Sequence, residues 1–382
     1  RLPVNTQEMI FYPTNKIRVQ VNKENVLNSG IVKPEDADLI VPYIDIDLPE
    51  SGITKNQLMM LDILANNNWE RPIYFTGGSY SPSEYIWMKE YLQLEGLVYK
   101  LVPIRTPLNP NNPYMMGRLD SDLMYDIVMQ WSWGNSSSPE IYHDPETRKN
   151  SISFRSNMAR LAEQLLEEGK TKKAKNVIDL AIEKMPLDYF GYYSLMVPFV
   201  DAYYKLGESQ SAQKLASQIS FKYRDELEYF SSLTVNEQYM MGENVITEIE
   251  RYRTMVEAIL VNEDKVLLKT ELDLFVKSIT PFVFLYGEYD YYTSLALFVE
   301  GYYIAEETQK ARALIETIVP QYQERFEAIA GYAKKNKMPV LDRIKNEVLD
   351  YQELINISKS YDEKSYSDSL QLGFDEVIEK FN

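Results

Sequence analysis

The sequence predicts a small α/β domain over residues 1–150, followed by an all-α region of helical hairpins over residues 151–382. Three observations predict it. Short runs of branched and aromatic residues alternate with helical patterns before residue 150. Almost everything after it follows a helical period. Within the second part, one stretch recurs 99 residues later, as Tyr192 and Tyr291 open matching segments.

The first strand expected is KIRVQV (residues 16–21), and the second is ADLIVPYIDID (residues 37–47), interrupted by Pro42. Thr54 as N-cap with Gln57 three residues on forms a capping box, opening a helix whose apolar stripe is Leu58, Leu61, Ile63 and Leu64. RPIYFTGG reads as a strand ending at Gly77 and Gly78. Ser81, Pro82 and Glu84 then open a second capped helix, with Gly96 expected to end it. LVYKLVPI (residues 97–104) is the next strand, so the order strand, helix, strand, helix, strand implies crossover connections. TPLNPNNP (residues 106–113) is a loop by composition, and a third helix is expected over residues 121–130.

From Ser151 the pattern becomes repetitive. Gly169 separates two helices, Ala174 and Ala181 lie on the second, and Pro186 ends the unit. That spacing is the tetratricopeptide helix–turn–helix, in which small residues let paired helices approach closely. A second unit carries Gly207 and Ala212. In the duplicated third, Tyr203, Tyr204 and Ala212 recur as Tyr302, Tyr303 and Ala311. Glu306 replaces Gly207 there, which implies a different or longer turn. A tetratricopeptide-like α-solenoid is therefore expected, with a loosely held end after about Asp350.

Composition excludes several classes. The 382 residues carry 40 basic and 57 acidic side chains for a net charge of −17, a field that repels a nucleic-acid backbone. No apolar run is long enough to span a bilayer. The chain begins at Arg1 without a starting Met, which suggests a piece of something longer. With no Cys and His143 as the one His, neither a zinc site nor any other metal site is expected. No cofactor is expected either. His143, in SSSPEIYHDPE, is a general base or, more plainly, a solvated loop residue.

Other constellations each carry two readings. Gly77 and Gly78 between a strand and a helix start suit an anion, or simply a turn. Asp45 and Asp47, like Glu288 and Asp290, could hold a hard cation or share acid–base work, or lie on a solvated edge. Tyr occurs 30 times. Tyr203 and Tyr302 are candidates for core packing or for a ligand-lining face, and Trp131 and Trp133 flank a loop where glycans or peptides could stack.

Three segments are recognisable together: LMMLDILANNNWERPIYF (residues 58–75), EYLQLEGLVYKLVPI (residues 90–104) and MYDIVMQWSWGN (residues 124–135). They resemble the soluble C-terminal part of a bacterial membrane family described as protein O-mannosyltransferase-like glycosyltransferases, in which transmembrane helices precede a tail with tetratricopeptide-like repeats. The resemblance implies a periplasmic domain of an enzyme that moves sugar from a lipid carrier to protein. Its catalytic acidic residue belongs to the transmembrane part, so this chain is expected to be non-catalytic. Its partners would be an acceptor protein or glycan and the transmembrane part of the same parent. Trp69, Arg71 and Trp133 match the family motif, and a buried Arg71 held by carbonyls or a carboxylate would make that motif architectural. The alternative is a free-standing extracytoplasmic protein that binds glycan or peptide on tetratricopeptide hairpins.

Overall fold

The computed structural model describes residues 14–49, 52–76, 88–108, 116–336 and 345–379. Small sheets in the N-terminal part are followed by a helix-rich C-terminal part. The chain forms two compact units, Arg1–Gly191 and Tyr192–Asn382.

In the first unit, β1 (Lys16–Gln20) pairs antiparallel with β2 (Tyr43–Asp47), placing Arg18 opposite Asp45 and Val19 opposite Ile44. Alternation does the sorting: Ile44 and Ile46 are buried, while Tyr43, Asp45 and Asp47 face out. Burying each isoleucine contributes about 1.5–3 kcal/mol. Helix α1 (Lys23–Asn28) lies between the strands in sequence, capped by the Asn22 side chain on the Asn25 N–H. The expected strand at residues 37–42 is instead a 3-10 turn, Pro34–Leu39.

Helix α2 (Lys55–Asn67) starts on the expected Thr54–Gln57 capping box. Its stripe is narrower than the sequence suggested, since Leu61 and Leu64 are buried but Leu58 and Ile63 are more than half exposed. The second sheet runs in the order β3 (Tyr74–Thr76), β5 (Val98–Leu101), β4 (Leu92–Glu95), β6 (Arg118–Leu119). Only β4–β6 is parallel. The expected crossover is thus replaced by a hairpin. Gly96 does not end a helix but turns β4 into β5, with φ +65°. The pairing of Leu92–Glu95 with Val98–Leu101 decides this, since neither strand shows an exposed alternate face: Gln93 and Lys100 are buried along with Leu92, Leu94 and Leu101. The glycine pair at 77–78 and the helix start at 81–84 lie outside the described residues.

Helix α3 (Ser121–Met129) falls where expected, with Asp120 as N-cap. Then α4 (Pro145–Glu167) and α5 (Thr171–Lys184) form a hairpin turned by Gly169. Ala174 and Ala181 are fully buried, as their spacing predicted. This hairpin lies within the first unit because polar ties fix it there. Asn157 Nδ2 donates to Gly96 O at 2.8 Å, and Arg160 Nη2 donates to Gly117 O at 2.6 Å. Lys170 and Lys173 pair with Asp122 at 2.8 and 2.7 Å, and the first of them does most to hold that carboxyl down at about 2. The short α6 (Leu187–Phe190) closes the unit.

The second unit opens with α7 (Val197–Lys205) and α8 (Ser209–Ser232), then α9 (Val235–Met240), α10 (Gly242–Val261) and α11 (Lys265–Ile279). Two short helices, α12 (Val283–Tyr286) and α13 (Glu288–Ser294), precede α14 (Leu297–Ile304) and α15 (Thr308–Lys335). Helices α16 (Lys345–Tyr361) and α17 (Lys364–Glu379) complete it. The turn after α14 is not longer. Glu306 takes the left-handed conformation at φ +62° that Gly207 takes at φ +74°. Both turns repeat the same pair of bonds, Gly207 N–H to Tyr204 O with Glu208 N–H to Tyr203 O, and Glu306 N–H to Tyr303 O with Glu307 N–H to Tyr302 O. Glu263, at φ +51°, makes the equivalent turn between α10 and α11. Five residues after each turn sits a fully buried side chain, Ala212, Leu268 and Ala311.

Aromatic rings fill this unit. Tyr252 packs on Phe275 at 5.1 Å, and Phe275 on Phe298 at 5.0 Å between centroids. The described residues after Asp350 are packed against the unit, where a loosely held segment was expected: Tyr351, Leu354 and Ile355 are buried, and Tyr351 packs against Tyr322 and Phe374.

Candidate functional site

The candidate site is a groove of about 930 Å³ in the first unit, at the upper end of the range for ligand clefts. One wall is β2 with its flanking residues, from Val41 and Pro42 to Leu48 and Pro49. The other is Lys89, Glu90, Tyr91, Arg105 and Leu108. Ile46 and Leu48 supply an apolar floor, being the buried members of an alternating strand.

Apart from Lys89, the charges along the groove are matched in pairs. Arg18 grips Asp45 with both its Nε and Nη2, at 2.6 and 2.8 Å, and lies over the Tyr43 ring at 3.6 Å. The Arg18 bond holds the Asp45 carboxyl below its ordinary value, and the same bond raises the guanidinium. Arg105 grips Glu90 at 2.7 Å and is raised by it in turn. Lys16 reaches Asp47 at 3.4 Å. Burial pushes the Tyr91 hydroxyl up. Held down by Arg18, the Asp45 carboxylate stays ionised through the neutral range and so suits polar recognition better than proton transfer. Asp45 and Asp47 thus lie on an exposed strand face, each with a cationic partner.

The family-motif residues build a joint beside this site. Trp69 is buried at φ +60°, with its Nε1 donating to Gln20 O at 2.8 Å and its own carbonyl accepting from Ser29 Oγ at 3.1 Å. Asn25 Nδ2 donates to Asn68 O at 2.9 Å, and Asn67 clamps the Arg71 backbone through both side-chain atoms. The motif therefore ties the end of α2 to β1 and α1. Arg71 itself is exposed rather than buried. The fully buried arginine is Arg155, which donates to Gly191 O and Met185 O at 2.5 and 2.7 Å.

Trp131 and Trp133 come together with Phe154 in a three-ring cluster, with centroids 4.9 to 5.7 Å apart, and both indoles stay half-buried. Tyr203 and Tyr302 are only 6% and 5% exposed, so most of each ring belongs to packing. The Tyr302 hydroxyl donates to Asp273 Oδ1 at 3.0 Å. His143 Nε2 meets Ser136 O at 2.9 Å and its ring packs on Phe190, while Asp144 beside it caps α4.

Residues 2–123 match the family model described as TMEM260-associated domain 2. No curated protein and no solved structure matches the chain. The TMEM260-associated match spans both sheets, the Trp69 joint and the whole groove, and it ends inside α3. The groove has no sequence signal beyond the alternation that turns Asp45 and Asp47 outward, because its walls come from three separated segments. Among the described residues no helix is long and apolar enough to cross a membrane.

Proposed function

We propose that this chain is a non-catalytic periplasmic domain of a membrane-bound protein glycosyltransferase, recruiting acceptor protein or glycan for a catalytic part elsewhere in the parent. The reading is supported by one coincidence. The segments at 58–75 and 90–104 that resemble the glycosyltransferase family lie inside the region matching TMEM260-associated domain 2, and the groove is built in that same region. Its paired charges suit holding a polar chain in place. Tetratricopeptide-like stacking of the hairpins into an α-solenoid belongs to this reading, as a second surface for an extended acceptor.

The test is direct. Purified chain incubated with lipid-linked sugar and acceptor proteins should form no product, yet should bind those acceptors in titration calorimetry. Turnover at catalytic rates overturns the accessory role, and absence of any acceptor binding overturns recruitment. A free-standing glycan-binding protein is the second reading, favoured by the half-buried Trp131–Trp133–Phe154 cluster, which suits stacking on a sugar ring. Glycan binding lost in Trp133→Ala, with acceptor protein ignored, selects it.

A further inference from the structure

Among the described residues β2 pairs with β1 alone, and the bonds flanking that ladder fix which groups it leaves over. Leu48 N–H donates to Asn15 O at 2.8 Å, and Val21 N–H donates to Pro42 O at 3.0 Å. Both bonds keep the register that sets Ile46 opposite Ile17 and Ile44 opposite Val19. Hydrogen-bonded pairs in an antiparallel ladder recur at every second residue. Ile44 and Ile46 therefore bond to β1, whereas the N–H and C=O of Tyr43, Asp45 and Asp47 point away from it. Val41 has the same parity, and its N–H reaches across to Pro103 O at 2.9 Å. Past Val41 the two segments part, and the groove opens between them.

Among the described residues nothing takes up these three outward N–H and C=O groups. Exposed edges are normally blunted. Here the Val41 bond to Pro103 closes the edge at one end, and Pro49, with no N–H at an outward position, closes it at the other, leaving room for one added strand of about six residues, roughly 20 Å. Lys89 apart, the charges along the groove are already matched by Arg18–Asp45, Lys16–Asp47 and Arg105–Glu90. Away from Lys89, a charged side chain entering there would lose water without gaining a counter-ion. Ile46, Leu48 and Leu108 favour uncharged ones.

We infer that the outer edge of β2 is a strand-addition site for an extended partner polypeptide with uncharged side chains, held by the backbone of Tyr43, Asp45 and Asp47. It rests on the recruitment reading only in taking that partner to be an acceptor.

The test uses the full chain, a proline-free ten-residue peptide of Ser, Thr and Ala, and the same peptide N-methylated at alternate amides. The peptide should bind and slow hydrogen exchange at the amides of Tyr43, Asp45 and Asp47. N-methylation on the pairing edge should weaken it at least tenfold, since it removes pairing and keeps the side chains. Asp45→Pro deletes one outward N–H without touching a ladder bond, and should weaken binding at least tenfold. Leu108→Trp narrows the groove with the strand intact, and should do the same if Asp45→Pro fails to fold. Undiminished affinity in Leu108→Trp and for the methylated peptide, with protection elsewhere, overturns the edge site but leaves recruitment standing. Slow exchange at these amides in the free chain also overturns it. Acceptor proteins that fail to bind while the peptide still protects the edge overturn recruitment and leave the edge site in place.

Discussion

The Tyr303 hydroxyl donates to Asp362 Oδ2 at 2.7 Å, and 99 residues earlier Tyr204 donates to Asp264 Oδ2 at 2.8 Å. Both aspartates stand at a helix start. Asp264 caps α11 through the Val266 and Leu267 N–H groups, and Asp362 accepts from the Glu363 N–H ahead of α17. A second partner joins each from the repeat, Gln213 in one and Arg312 in the other. The duplicated tyrosines thus tie one hairpin to the cap of a later helix. Tyr303→Phe and Tyr204→Phe should each cost about 1.5 kcal/mol, the value of a bond to a charged acceptor, in denaturant titration. A loss below a few tenths in both would show that the ties are incidental.

The Asp362 tie also sets a pH dependence. Arg312 first, then Tyr303 and the Glu363 N–H, hold the Asp362 carboxyl down at about 2 against partial burial. A group depressed in the folded state contributes stability that is present above its unfolded value, near 3.9, and lost as pH falls toward 2. Asp362→Asn should lower the melting temperature at pH 7, and the gap to the parent should close between pH 4 and 2. A constant gap across that window would assign the loss to packing.

Glu226 runs the other way. Burial first, then the neighbouring Glu248 carboxylate, push it up to about 7. Raised in the folded state, it contributes stability below its unfolded value near 4.3, and that stability fades as pH climbs through 7. Glu226→Gln should be more stable than the parent at pH 8 by about 1 kcal/mol, well short of the full shift because water reaches the group. At pH 4 the two should melt together.

Glu306 carries backbone strain that Gly207 avoids, since a side chain at φ +62° crowds the following carbonyl. Glu306→Gly should raise the melting temperature by about 2–4 °C, and Gly207→Ala should lose about 1 kcal/mol. No rise in Glu306→Gly would mean that its contact with Lys265, at 2.8 Å, offsets the strain.

What the sequence made legible was local. Thr54 and Gln57 cap α2 as expected, and the five-residue spacing from Gly169 to Ala174 and Gly207 to Ala212 places buried small residues correctly, because caps and turns are decided within a few residues. Gly96 was misleading for the opposite reason: glycine ends helices and turns hairpins alike, and only pairing across β4 and β5 decides. Glu306 hid a turn that its glycine counterpart announced. Arg71 is exposed where burial was expected, and the buried Arg155 had no signal in the sequence, since carbonyls from Met185 and Gly191 converge on it only in three dimensions. The groove was out of reach altogether, because Asp45, Glu90 and Arg105 meet there from distant positions.

Tyr203 and Tyr302 separate packing from binding. Each sits on the first helix of a duplicated hairpin, where a regular superhelix would turn one face inward. Both are nearly buried, and Tyr302 adds a hydroxyl bond to Asp273, which Lys310 also holds at 2.6 Å. Truncating a buried ring leaves a cavity, so Tyr203→Ala and Tyr302→Ala should each cost about 3–5 kcal/mol. Tyr302→Phe keeps the ring and should lose only about 1 kcal/mol. Acceptor binding, measured by calorimetry well below the melting temperature, should be unchanged in Tyr203→Phe and Tyr302→Phe. Binding that weakens tenfold in Tyr302→Phe while the melting temperature barely moves would place this hydroxyl against the ligand instead. The Trp131–Trp133 pair supplies the contrast: its half-buried indoles should affect binding more than stability when Trp133 becomes Ala.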